Sequence, residues 1–130
     1  MTAQKGIQPE IAVGAIPDDE RVWVPQASDV WFRPLLLNTV TGGWCNLLRV
    51  RKSGVLSRHR HPMVVVGYVI KGRWRYLEHD WIAEEGSFVY EPPGEVHTLT
   101  VPEDCLDQFD DALAVFHRGF APDFRIRSRP

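Results

Sequence analysis

Arg58-His59-Arg60-His61-Pro62 runs directly into the apolar residues 63–70, and together they read as one strand. Side chains alternate across a strand, so His59 and His61 share one face while Arg58 and Arg60 take the other. Two imidazoles so placed suit a shared metal ion, although a basic, solvated strand entrance has the same pattern. A third imidazole, His97, follows in Glu91-Pro92-Pro93-Gly94-Glu95-Val96-His97.

Outward from this stretch the chain has the texture of short strands. Residues 21–25, 29–37 and 43–52 are rich in β-branched, aromatic or Leu side chains and are separated by turn formers. Thr41-Gly42-Gly43 and Lys52-Ser53-Gly54 supply turns that permit positive φ. Residues 63–71 and 73–79 meet at Lys71-Gly72, a hairpin signature, and the second arm places Trp74, Tyr76 and Glu78 opposite Arg73, Arg75 and Leu77. Residues 88–91 and 96–101 complete the set. Strand-like runs every 8–12 residues, with no helical period before Cys105, define an all-β domain that closes as a barrel or a two-sheet jelly roll.

The flanks differ. Residues 1–20, with Gly6, Pro9, Gly14 and Pro17, form an irregular N-terminal arm, so the barrel core spans residues 21–104. Residues 105–118 carry Leu106, Phe109, Leu113 and Phe116 at helical spacing, ahead of a basic tail ending in Arg125-Ile126-Arg127-Ser128-Arg129-Pro130. The expectation for residues 105–130 is therefore an atypical segment, helical or disordered. A shortened or frame-changed terminus would leave a barrel edge unpaired, inviting dimers or higher homo-oligomers.

The chain has 130 residues, 44% of them apolar and 25% charged, with a net charge of −2, which fits a single domain. Interspersed charges give no reason to expect nucleic acid or a membrane surface as partner. Cys45 and Cys105 are the only cysteines, and with no export signal or membrane-length apolar run they are expected as free thiols in a cytoplasmic protein.

Taken together, these residues resemble the cupin superfamily, a jelly-roll β-barrel. Gly54, His59, His61 and Gly72 match its first motif; Gly86, Pro92, Gly94 and His97 match its second, G-x₅-P-x-G-x₂-H, in full. Val65 and Val66 stand where the first motif often has a glutamate, and Val101 where the second often ends in asparagine. Residues 22–104, above all 58–62, 71–81 and 91–97, look like ChrR-type cupins, and are most similar to the 2,4'-dihydroxyacetophenone dioxygenases and, more distantly, the acetylacetone dioxygenases.

The resemblance implies iron(II) held by His59, His61 and His97, with a small ketone and dioxygen as substrates and carbon–carbon bond cleavage as the reaction. Zinc, nickel, copper or manganese suit imidazole as well. Three neutral imidazoles leave coordination positions open, as catalysis requires. Glu91, at the strand end before the Pro-Pro-Gly corner, is the expected catalytic or orienting carboxylate; Arg73, Arg75 and Tyr76 are candidate pocket residues, with solvated or core positions as their ordinary alternative. His79 and His117 lie outside both motifs and read as surface or structural histidines. A regulatory alternative exists, because ChrR-type cupins also occur as zinc-binding parts of anti-sigma proteins; against it, residues 1–20 are expected as an irregular arm rather than the zinc-finger-like domain that would hold a sigma factor.

Overall fold

The computed structural model describes residues 9–119. Its larger sheet orders β1 (Val24–Ala27), β2 (Val30–Leu37), β3 (Trp44–Val50), β10 (Ala112–Arg118), β5 (Val65–Lys71) and β8 (Phe88–Glu91) side by side. The smaller has β4 (Gly54–His59), β9 (His97–Val101), β6 (Trp74–Tyr76) and β7 (Ile82–Ala83). Every pairing is antiparallel. The all-β expectation holds, with one short helix, α1 (Cys105–Gln108), among the described residues.

Alternation decides which side chains meet. Val50, Val69, Val89, Ala112 and Ala114 of the larger sheet pack against Trp74, Tyr76, Ala83, Leu99 and Val101 of the smaller, making one buried core. The opposite side of the larger sheet carries a second cluster, in which Leu47 and Leu113 pack with Trp23 from the incoming arm. A 3-10 turn at Glu20–Val22, capped by the Asp19 carboxylate accepting from the Arg21 N–H, feeds Trp23 into place. The first two residues of the segment expected as a strand over 21–25 thus belong to this turn; β1 begins at Val24.

Three sequence expectations need correction. The histidine stretch is not one strand: β4 ends at His59 in the smaller sheet, and β5 starts at Val65 in the larger. Pro62 stands in the crossing, where it has no N–H to give to a ladder. Nor is Lys71-Gly72 a hairpin, since β5 pairs with β10 and β8 while β6 pairs with β9 and β7. Gly72 (φ +85°) is instead a corner between sheets, where a Cβ would come within 3.0 Å of Cys105 Sγ and 3.1 Å of Ala112 Cα.

The third correction concerns the C-terminal segment. Helix ends at Gln108, and Ala112–Arg118 is a strand inserted between β3 and β5, paired along both edges. Leu113 and Phe116, one helical turn apart in sequence, therefore point to opposite faces. A run of seven residues cannot satisfy its backbone better alone than in a slot with a ladder on each side, so tertiary pairing overrides the helical spacing. No edge is left open at that position. Residues 1–8 of the arm and the basic tail over 120–130 lie outside the described residues. Cys45 and Cys105 are both free, as expected.

Candidate metal centre

β4 ends on His59 and β9 begins on His97, and the two are directly opposite in one antiparallel ladder, so their side chains leave the same face of the smaller sheet. His61 lies in the crossing to β5. Gly94 of the second motif donates its N–H to the His61 carbonyl at 2.9 Å, tying the two motif loops together, and its φ of +79° makes the corner that permits it. Ring centroids of His59 and His61 are 5.7 Å apart, those of His59 and His97 6.1 Å, and those of His61 and His97 5.3 Å.

Glu91 enters from the larger sheet. It is the last residue of β8, directly opposite Val65, the position at which the first motif carries no glutamate in this chain. The carboxylate thus comes from the neighbouring strand. Ligand-capable atoms of His59, His61 and Glu91 all lie within 4.8 Å of one another. Glu91 Oε1 is 3.2 Å from His61 Nε2 and 3.9 Å from His97 Nε2, and Glu91 Oε2 accepts from the Tyr76 hydroxyl at 2.8 Å. Burial, reinforced by the adjacent Glu91 charge, pushes the Tyr76 phenol well above its ordinary value, so it remains a donor.

Two features show that these side chains fit a divalent ion. His61 Nδ1 lies 2.6 Å from the Met63 carbonyl, which can only accept, so in the neutral ring Nε2 is a bare lone pair. That lone pair faces a carboxylate oxygen at 3.2 Å, an arrangement that needs a proton or a cation between them; two donors each about 2.1 Å from one ion are separated by just such a distance. His97, 1% exposed, has both ring nitrogens enclosed without a hydrogen-bond partner. A buried imidazole without partners costs stability unless something coordinates it. His59 sits exposed at the mouth of the cluster, with the Ser57 hydroxyl 3.1 Å from its Nδ1; desolvation first, then His61 and His97, hold it below its ordinary pKa against the pull of Glu91.

The ChrR Cupin-like domain family model matches residues 13–109. The chain belongs to this family. Among solved structures it is similar to an RmlC-like cupin protein from Ralstonia eutropha JMP134, at 27% identity and a TM-score of 0.64, covering 82% of this chain and 69% of that one. An acetylacetone dioxygenase from Acinetobacter johnsonii shares the fold at 13% identity and a TM-score of 0.64, over 89% of this chain and 80% of the other. So does the anti-sigma protein ChrR of Rhodobacter sphaeroides, solved with SigE, at 15% identity and 0.61; the match covers 75% of this chain and 49% of that one. No curated protein matches.

In this cupin the cluster opens onto a cavity of about 590 Å³ between the sheets. Phe32, Trp44, Leu48, Val65, Leu99 and Phe116 give it apolar walls. The Phe116 ring lies over Gly67, where a Cβ would come within 2.7 Å of it, so that glycine makes room for the ring. Tyr76 lines the cavity as expected of a pocket residue, but Arg73 and Arg75 do not. Arg73 turns outward to Gln108 at 2.9 Å and Asp104 at 3.3 Å, and Arg75 is exposed. His79 stacks on Trp81, whose ring meets Tyr76 edge-on, and His117 belongs to the opposite face of β10.

Sequence reading missed Ser57, Asn46, Phe116 and Arg118 as cavity residues. Ser57 was within reach, because it lies two residues before His59. Phe116 and Arg118 were not, because their segment was read with the wrong period. No described helix is long and apolar enough to cross a membrane.

Proposed function

We propose that this cupin is a non-haem iron(II)-dependent dioxygenase that cleaves a carbon–carbon bond in a small hydroxyketone or diketone. The supporting observation is a donor cluster open to an apolar cavity of about 590 Å³, a volume suited to a small organic substrate rather than to a sealed structural ion. His59, His61 and His97 would hold the ion, which when bound would supply Lewis acidity toward ketone oxygens and electrons for dioxygen. The Met63 carbonyl fixes the His61 ring so that Nε2 faces the ion. Glu91 Oε1, 3.2 Å from His61 Nε2, would stand as a further donor to the ion, and the Tyr76 hydroxyl keeps that carboxylate aimed inward. Apolar walls exclude water around the reacting atoms.

The family's name supports a second reading, a metal-binding regulatory module without catalysis. Anaerobic loading with iron(II), followed by oxygen uptake against hydroxyacetophenones and β-diketones, separates the two. Uptake that zinc does not support and that His61→Ala abolishes is the expected result. Tight zinc binding with no uptake for any ketone would replace the oxygenase reading with the regulatory one.

A further inference from the structure

Among the described residues, Arg118 is the one lysine or arginine that lines the cavity. Arg118, the last residue of β10, lines it with Trp44, 5.6 Å from that ring. Its guanidinium donates to the Gly42 carbonyl at 2.5 Å, and its Nε is enclosed without an acceptor. No carboxylate among the described residues pairs with it, in contrast to Arg21, Arg49, Arg51 and Arg73. A guanidinium in partial burial whose charge meets a carbonyl dipole and a tryptophan ring but no carboxylate among the described residues is poised for an anionic oxygen pair.

Register places this charge relative to the metal centre. Arg118 is opposite Trp44 on one side and Val65 on the other, and Val65 is opposite Glu91. Trp44, Arg118, Val65 and Glu91 therefore form one row across the inner face of the larger sheet. Arg118 and Glu91 are two strand spacings apart, about 10 Å between backbones. Asn46, diagonal to Arg118 across the β3–β10 pair, also lines the cavity and has an enclosed, unpaired Oδ1.

We propose that Arg118 sets substrate specificity by binding a carboxylate at the far end of a small, single-ring ketone whose ketone end meets the histidine cluster. This rests on the oxygenase reading for the ketone end alone. The ring occupies the apolar walls between the two ends, and the row of the sheet sets the length that fits.

Binding of 4-acetylbenzoate and of its methyl ester to the zinc-loaded protein, measured by calorimetry, tests it without turnover. The acid is expected to bind about tenfold more tightly than the ester, the size of one charge-assisted contact. Arg118→Gln removes that preference while leaving ester binding in place, and Arg75→Gln keeps it. Asn46→Asp, which preserves shape and sets a negative charge beside Arg118, also cancels it, so the test survives if Arg118→Gln fails to fold. Equal affinity for acid and ester in the natural protein overturns the proposal. So does a preference that persists in Arg118→Gln, which would put the carboxylate on the metal. If the preference behaves as expected but no ketone drives oxygen uptake, the oxygenase reading falls and the Arg118 assignment stands.

Discussion

Two arginines on adjacent strands lie against tryptophan on opposite faces of the larger sheet. On the outer face, Arg49 is clamped between the rings of Trp23 and Trp31, 4.3 and 4.4 Å from their centroids, and donates to both carboxylate oxygens of Glu20 at 3.0 and 2.9 Å. On the inner face, Arg118 has one tryptophan and one backbone carbonyl. Each leaves its Nε without a partner, so the difference lies in the carboxylate. Where the chain answers its own buried charge, the result is a fastening that holds the arm to the sheet. Where it does not, as at Arg118, the guanidinium faces a cavity with no carboxylate among the described residues; His97, enclosed against His61 and Tyr76, likewise has no hydrogen bond at either ring nitrogen.

That contrast breaks most decisively at His97. With His97 as the proposed third imidazole ligand, His97→Leu should weaken zinc binding by more than about 100-fold, read by competition with a chromophoric chelator, since loss of a ligand outweighs loss of a supporting contact. The metal-free protein should melt no lower than the natural one, because the change removes two enclosed, unpaired nitrogens. A large fall in melting temperature would mean that the ring is structural. Arg49→Leu should do the reverse, costing about 3 kcal/mol in urea unfolding through loss of both ring contacts and the carboxylate pair, with zinc affinity unchanged.

Smaller effects sharpen the same division. Tyr76→Phe, which deprives Glu91 of its hydroxyl donor, should lower zinc affinity by about tenfold with little change in melting. On the outer face, the hydrogen bond to Arg49 holds the Glu20 carboxyl below its ordinary value. A carboxyl depressed in the folded state gives stability that is present above its ordinary range and is lost as pH falls through the depressed value. Melting of Glu20→Gln should therefore decline less steeply on acidification than melting of the natural protein, although Asp19 and Glu78, also depressed by their hydrogen bonds, keep some of the slope.

Much of this was open to sequence reading. The nearness of the His59, His61 and His97 rings could be foreseen because motif spacing reports the turns that bring strands into register, although the ligand-capable atoms within 4.8 Å of one another are those of His59, His61 and Glu91. Period-two alternation in 73–79 correctly separated Tyr76 from Arg75. The errors share a cause. Residues 58–70 contain enough apolar character for one long strand, and nothing local says that the chain changes sheets at Pro62. Ala112–Arg118 has apolar residues compatible with two periods, and only the slot between β3 and β5 selects one of them. Glu91 could be suspected from its neighbours, but its place among the histidines depends on pairing with Val65.

Composition, alternation and the two motifs determined by themselves an all-β cupin with three convergent imidazoles, because strand periodicity and glycine-bearing corners are properties of short stretches. Tertiary structure alone decided that β10 lies between β3 and β5, that the candidate Glu91 comes within 4.8 Å of His59 and His61, and that Arg118 rather than Arg73 or Arg75 reaches the cavity. Those outcomes depend on which strands lie side by side, and hydrogen-bonded register between distant segments is set by the packing of the whole barrel, not by any residue's immediate neighbours.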